Sequence, residues 1–311
     1  MLNKTWLFAS SSPESELALV QWMLECCQQQ ALKLTVVVVL PKLSHNIFEW
    51  FETQQHQDVL QQQTDFETAK RQSWIDLAAK KQVDLNIVVR FGKVFYEVIQ
   101  VAKEQNVELV IKQTEDFEQK ENLIFQSADW HLLRKSPVPL LLHRRTTPLP
   151  FKTVMASLDI DIEATPVQAS AFNQALLTWA QFFKGPKPIK VVHAWQSDVD
   201  SLVKHWNADL PDAELIKLNE QLYHEHKQAL NLELSAFAPQ SQNQAPTVLL
   251  CKGEAASSVA AAVVEQEVDL LVLGTVGRSG LLGMLIGNTA EDLLEKVNCS
   301  VLAMKPKTLK S

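Results

Sequence analysis

Short apolar runs, several of them β-branched, alternate with stretches of helical period along this chain, and the alternation is played out twice. In the first half the strand-like runs are Lys4 to Ala9, Leu32 to Leu40, Leu85 to Phe91, Val107 to Ile111 and Val138 to His143. Val36 to Val39 is the kind of run that suits a strand buried on both faces. Helical periods lie between them: Pro13 to Gln30 behind the cap residues Ser11 and Ser12, then Ile47 to Gln82, Val94 to Gln105 and Ser127 to Lys135. In the second half the strands are Thr153 to Leu158, Ile189 to Ala194, Thr247 to Cys251, Leu270 to Leu273 and Ser300 to Met304. The helices between them are Thr165 to Phe183, Asp212 to Phe237, Ala255 to Gln266 and Thr289 to Val297. Strand and helix in strict alternation predict parallel sheets covered on both faces, an α/β chain of two tandem Rossmann-like domains. Thr146 to Pro150, with two prolines, is the natural seam, giving domains 1–146 and 151–311.

The halves also align as sequence, which points to internal duplication. Val107-Glu108-Leu109 matches Val268-Asp269-Leu270, Ala128-Asp129 matches Ala290-Glu291, and Leu132 matches Leu294. With these last pairs matched, Phe125 falls opposite Gly287 and Gln126 opposite Asn288.

Five of the chain's eight glycines fall between Gly274 and Gly287, after the fourth strand of the second half. Glycine lets backbone N–H groups approach an anion closely. A helix starting beside Asn288 adds unpaired N–H groups and a positive dipole end. The stretch therefore reads as a phosphate cradle, set against the plainer reading of a ligand-free connection. The matching stretch of the first half, Lys112 to Gln126, has no glycine and carries Glu115, Asp116, Glu118 and Glu121. Carboxylates there repel a polyphosphate.

A net charge of −7 argues against a general nucleic-acid or membrane-surface binder. No long apolar segment follows the start, so no signal peptide or membrane span is expected. Four cysteines without a Cys-x-x-Cys pair suit reduced thiols in a cytoplasm. His224 and His226, two apart on a helix, face different ways and make a poor metal pair. His193 reads as a packed strand residue, and His131 as packing between domains. Trp179, Trp195 and Trp206 read as core or interface, and Gln54 to Gln63 as a solvated helix face. Ser279 and Thr275 have no evident base, so catalysis is not expected. Asp159 is either a strand-end or cap carboxylate or a ligand contact, and Arg278 a surface charge or a phosphate contact.

Gly274 and Gly277, nine intervening residues, then Gly287 resemble the Gly-x-x-Gly-x9-Gly-Ser/Thr motif of the universal stress protein family. Residues 128–135, 274–278 and 287–291 are similar to its tandem E-type members. The resemblance implies five parallel strands per domain in the order 3-2-1-4-5, with nucleotide at the carboxyl edge where strand order reverses. It implies that Asp159 and Ala194 lie near the nucleoside, Leu273 and Gly274 near ribose and phosphate, and Gly277, Gly287, Asn288 and Thr289 at the phosphates. It implies an adenine nucleotide, ATP or AMP, with Mg only alongside ATP and no cofactor needed for folding. It further implies a signalling role through an unidentified protein partner, and two domains that pair within the chain, with a homodimer left open. Asn288 departs from the motif's hydroxyl residue, and Val276 stands where histidine is frequent. Ser10 ends the first strand where an aspartate is expected, so the first domain is not expected to bind nucleotide in the family's mode. The alternative is a nucleotide-independent scaffold, or a carrier of an apolar or nucleotide-sugar ligand.

Overall fold

The computed structural model describes residues 4–42, 53–114, 127–163, 170–197, 212–237, 245–276 and 286–306. The chain divides into two compact units, Met1–Leu149 and Pro150–Ser311. The first holds β1 (Thr5–Ser10), α1 (Leu17–Gln30), β2 (Lys33–Leu40), α2 (Thr53–Ala69), α3 (Gln72–Lys80), β3 (Leu85–Phe91), α4 (Val94–Glu104), β4 (Leu109–Thr114), α5 (Ser127–Lys135) and β5 (Leu140–Arg144). The second holds β6 (Val154–Ser157), α6 (Ala171–Phe182), β7 (Lys190–Trp195), α7 (Asp212–Ala236), β8 (Thr247–Lys252), α8 (Ala255–Glu265), β9 (Leu270–Gly274), α9 (Asn288–Lys296) and β10 (Ser300–Met304).

Within the first unit the strand order is β3-β2-β1-β4-β5, and within the second β8-β7-β6-β9-β10. The pairings inside each unit are parallel. Both units thus have the 3-2-1-4-5 order, with the first strand central and buried. β1 is buried along its whole length. Val36, Val37 and Val38 lie at 3% exposure or less, the outcome that the β-branched run predicted. In each unit strand order reverses between the first and fourth strands, which opens a crevice at their carboxyl ends.

The duplication extends to individual hydrogen bonds. Gly92 N–H donates to Leu40 O at 2.8 Å, and Gly253 N–H to Trp195 O at 2.9 Å. Thr35 Oγ1 donates to Gln105 Oε1 at 2.6 Å, and Lys190 Nζ to Gln266 Oε1 at 2.5 Å. Thr114 Oγ1 donates to His143 O at 3.3 Å, and Thr275 Oγ1 to Met304 O at 3.2 Å. A single offset relates all the later members of these pairs and the bounds of α4 and α8 and of α5 and α9.

That offset corrects the sequence alignment by one residue. The buried residues of α5 are Asp129, Leu132 and Leu133, and those of α9 are Ala290, Leu293 and Leu294. Leu132 therefore matches Leu293, Ser127 stands opposite Asn288, and Gln126 stands opposite Gly287. Adjacent leucines in both helices let the sequence slip by one position, and burial removes the ambiguity. Gln113 takes the place of Gly274. A second correction concerns the long helix expected to Gln82: α2 ends at Ala69 and α3 starts at Gln72, with Arg71 between them fully buried. Gln57, Gln61 and Gln62 are exposed, as a solvated face requires.

α8 begins on a side-chain cap, Glu254, whose carboxylate accepts from Ala256 N at 2.9 Å and Ser257 N at 2.7 Å. The Ser257 N–H, foremost, holds this carboxyl below its ordinary range. A carboxyl lowered in the fold stabilises it above the unfolded pKa and loses that contribution as pH falls through the folded value. Glu254→Ala is expected to cost about 1 kcal/mol at neutral pH in urea unfolding, with the difference closing below about pH 4.

Candidate functional site

The crevice of the second unit lies between β6 and β9, paired with Ala156 beside Val272. Leu273 is buried at 2% exposure, and Gly274 ends β9. The next residue, Thr275, is a junction. Its N–H donates to Met304 O at 2.8 Å, and its own carbonyl accepts from Gly287 N–H at 2.8 Å. The two ends of the glycine run are thereby tied together, while Gly277 lies outside the described residues. Gly287 is the N-cap of α9 in extended conformation and supplies no side-chain cap. Its carbonyl accepts from Ala290 N and Glu291 N. Asn288 and Thr289, the first two helical residues, are exposed. An uncapped helix start held beside a strand end presents N–H groups and a positive dipole to an anion. Asn288 adds an amide donor and Thr289 a hydroxyl. Asp159 follows β6 with an exposed side chain, and Ala194 on β7 is half-buried. The fold thus sets Asp159, Ala194, Leu273 and Gly274 at the carboxyl ends of three neighbouring strands, with Gly287, Asn288 and Thr289 tied to β9 through Thr275.

One wall of this crevice was not evident from the sequence. A Cβ on Gly274 would lie 2.6 Å from Cε1 of Phe172, near the start of α6. The aromatic ring rests on the glycine, so a side chain at 274 would require the Phe172 ring to move. Asn173, the next residue, donates to Asp159 O at 2.9 Å. Gly274→Ala is expected to destabilise the second unit by about 1–3 kcal/mol through this clash. Adding Phe172→Ala should abolish the Gly274→Ala increment, and an undiminished increment in a double-mutant cycle contradicts the contact.

The equivalent crevice of the first unit is filled from within. Strand register sets Ser11, not Ser10, level with Asp159. Ser10 Oγ instead donates to Glu16 at 2.7 Å and accepts from Arg71 Nη2 at 2.8 Å, and Ser11 N–H donates to Glu16 at 2.9 Å. Glu16 and Arg71 are both at 0% exposure. Arg71 also reaches the Glu67 carboxylate at 2.8 Å and lies over the Trp74 ring. Lys112 and Asp129, at the positions of Leu273 and Ala290, form a buried ion pair at 2.9 Å. Gln113 donates to Ser15 O at 3.2 Å. Glu115, Asp116, Glu118 and Glu121 lie outside the described residues. Removing one partner of a buried charge network leaves the other uncompensated, so Arg71→Met is expected to cost about 3–5 kcal/mol in urea unfolding.

Other expectations resolve locally. His131 stacks on Phe95 of its own unit with ring centroids 4.3 Å apart. His224 is exposed and His226 buried, so they do face different ways. Trp179 stacks on Phe183 at 5.7 Å, while Trp206 and Arg278 lie outside the described residues. Burial pushes the Cys26 and Cys27 thiols up to about 12. Among the described residues no three His, Cys, Asp or Glu side chains gather as a metal site, and no helix is long and apolar enough to cross a membrane.

The universal stress protein family model matches residues 3–144 and again 165–305. The universal stress protein E homolog of Haemophilus influenzae is 24% identical over 280 residues, covering 88% of this chain and 87% of that one. Universal stress protein E of Escherichia coli K12 is 24% identical over 251 residues, covering 76% and 75%. Among solved structures, a universal stress protein from Archaeoglobus fulgidus superposes with a TM-score of 0.63 at 14% identity, over 98% of this chain and 99% of that one. A putative universal stress protein from Pseudomonas aeruginosa gives a TM-score of 0.63 at 18% identity, over 98% and 93%. Two tandem matches, one within each unit, and E-type relatives along most of the length agree: the chain belongs to the universal stress protein family, in its tandem E-type form.

Proposed function

We propose that the second unit binds an adenine nucleotide, AMP or ATP, in the crevice between β6 and β9, and that the first unit does not. The observation that carries this reading is the uncapped start of α9, held beside Gly274 by the Gly287 to Thr275 hydrogen bond. Phosphate oxygens would accept from the N–H groups and side chains of Asn288 and Thr289, with Gly277 and Gly287 keeping the approach clear. Asp159 and Ala194 would face the nucleoside, beside Leu273. In the first unit Gln113 replaces the first glycine and donates to Ser15 O, and Ser10 Oγ donates to Glu16 while accepting from Arg71. Binding would change a surface read by a protein partner, without turnover. Mg would enter only with ATP. Four cysteines without a Cys-x-x-Cys pair suit a reducing, cytoplasmic setting.

A second reading, a nucleotide-independent scaffold or carrier, is favoured by one observation: the Phe172 ring already rests on Gly274. Calorimetry with AMP, ADP and ATP, with and without Mg, separates the two. The nucleotide reading expects saturation at one site per chain. Thr289→Glu keeps an exposed helix start stable, because acid is favourable there, yet puts a carboxylate where phosphate would sit. It is expected to weaken binding about tenfold or more. No saturation up to about millimolar ligand, or equal affinity in the variant, contradicts the reading.

A further inference from the structure

In the second unit α7 is tied to the carboxyl ends of β6 and β7 by two polar anchors that end on consecutive carbonyls. His226 of α7 meets His193 of β7, Nδ1 to Nε2, at 2.9 Å, and His193 Nδ1 lies 3.0 Å from Leu158 O. Both rings are buried, at 8% and 3% exposure. Two turns along the same helix face, the buried Glu233 carboxylate accepts from Ser170 N at 2.7 Å, Asn173 Nδ2 at 2.9 Å and Gln174 Nε2 at 2.9 Å. Asn173 Nδ2 donates in turn to Asp159 O at 2.9 Å.

We propose that the His193 and His226 pair is a proton-operated clasp that holds α7 against the carboxyl ends of β6 and β7 and loosens it on acidification. A carbonyl only accepts, so His193 Nδ1 carries a hydrogen. In neutral His193 the Nε2 is then a lone pair, and His226 Nδ1–H donates to it. If His193 gains a proton, the bond reverses: Nε2–H donates to a bare His226 Nδ1. Either way one hydrogen lies between the rings. A proton on each ring sets N–H against N–H, and the bond is lost.

The sign follows from proton counts. The clasped pair takes up at most one extra proton, whereas two released imidazoles take up two as pH falls through about 6.5. The clasp is therefore fully present above that range. It weakens as pH falls through it, by about tenfold per pH unit for each extra proton taken up. Among the described residues, the charged and titratable groups around the pair come from three places. Tyr223 and Glu233 lie on α7, with Lys227 on the Tyr223 ring. Asp159 follows Leu158. Lys252 of β8 lies over the Trp195 ring, itself 5.4 Å from the His226 ring. α6 contributes the uncharged Asn173 and Gln174. The first proton leaves a hydrogen between the rings, and only the second breaks the bond. Ala229 and Leu230 remain as apolar anchors, so α7 loosens without the unit unfolding.

The test is hydrogen exchange of the full chain from about pH 8 to about pH 5, corrected for intrinsic rates, with imidazole 15N shifts followed in parallel. The expected result is a selective loss of protection in α7, about tenfold or more, while β9 and β10 hold, coincident with a second proton on the His193 and His226 rings. His226→Asn replaces the ring with an amide that does not titrate, and should flatten the transition. His224→Asn, on the exposed face, should leave it as in the wild type. Unchanged α7 protection across this range, or an acid loss that persists in His226→Asn, overturns the proposal. Should His226→Asn fail to fold, the wild-type shifts decide: rings that stay singly protonated while α7 loosens also overturn it.

Discussion

The hydrogen bond from Gly287 N–H to the Thr275 carbonyl, backed by Thr275 N–H to Met304 O, is the point on which the second unit's crevice depends. It joins the end of β9, the start of α9 and the end of β10. Without it the glycine run would be a tether between a strand and a helix. With it, the start of α9 is held next to the end of β9. Thr114 repeats the hydroxyl half of this junction against His143 in the first unit, so the frame survives where the glycines do not.

What separates the halves is lining, not scaffold. Gln113 replaces Gly274, Lys112 replaces Leu273, Asp129 replaces Ala290, and Ser127 replaces Asn288. Lys112 and Asp129 are buried charges, tolerable only because they pair. Arg71, Ser10 and Glu16 form a second internal network over the end of β1. In the first unit Ser10 bonds Glu16 and Arg71, and Lys112 bonds Asp129. The second has Leu273 and Ala290 where the first has its ion pair, and its α9 starts without a side-chain cap at exposed Asn288.

The strands were legible because parallel strands buried on both faces must be apolar and often β-branched, a pattern few helices share. The duplication was legible from Val107 to Leu109 and Val268 to Leu270, though adjacent leucines hid its final register. Arg71 was not legible: within a glutamine-rich helical stretch, a lone arginine looks like a surface charge. Phe172 and His226 were missed for a related reason. Their importance comes from contacts with Gly274 and His193, and nothing in the local pattern of a helix names its distant neighbour.

A crystal structure grown with AMP tests the central claim most directly, namely that the start of α9 is an anion site in the second unit alone. The predicted result is a phosphate oxygen about 3 Å from the N–H of Asn288 or Thr289, with the base toward Asp159 and Ala194. Nucleotide lodged beside Ser10 and Gln113 of the first unit, or density away from Gly287 altogether, would contradict it.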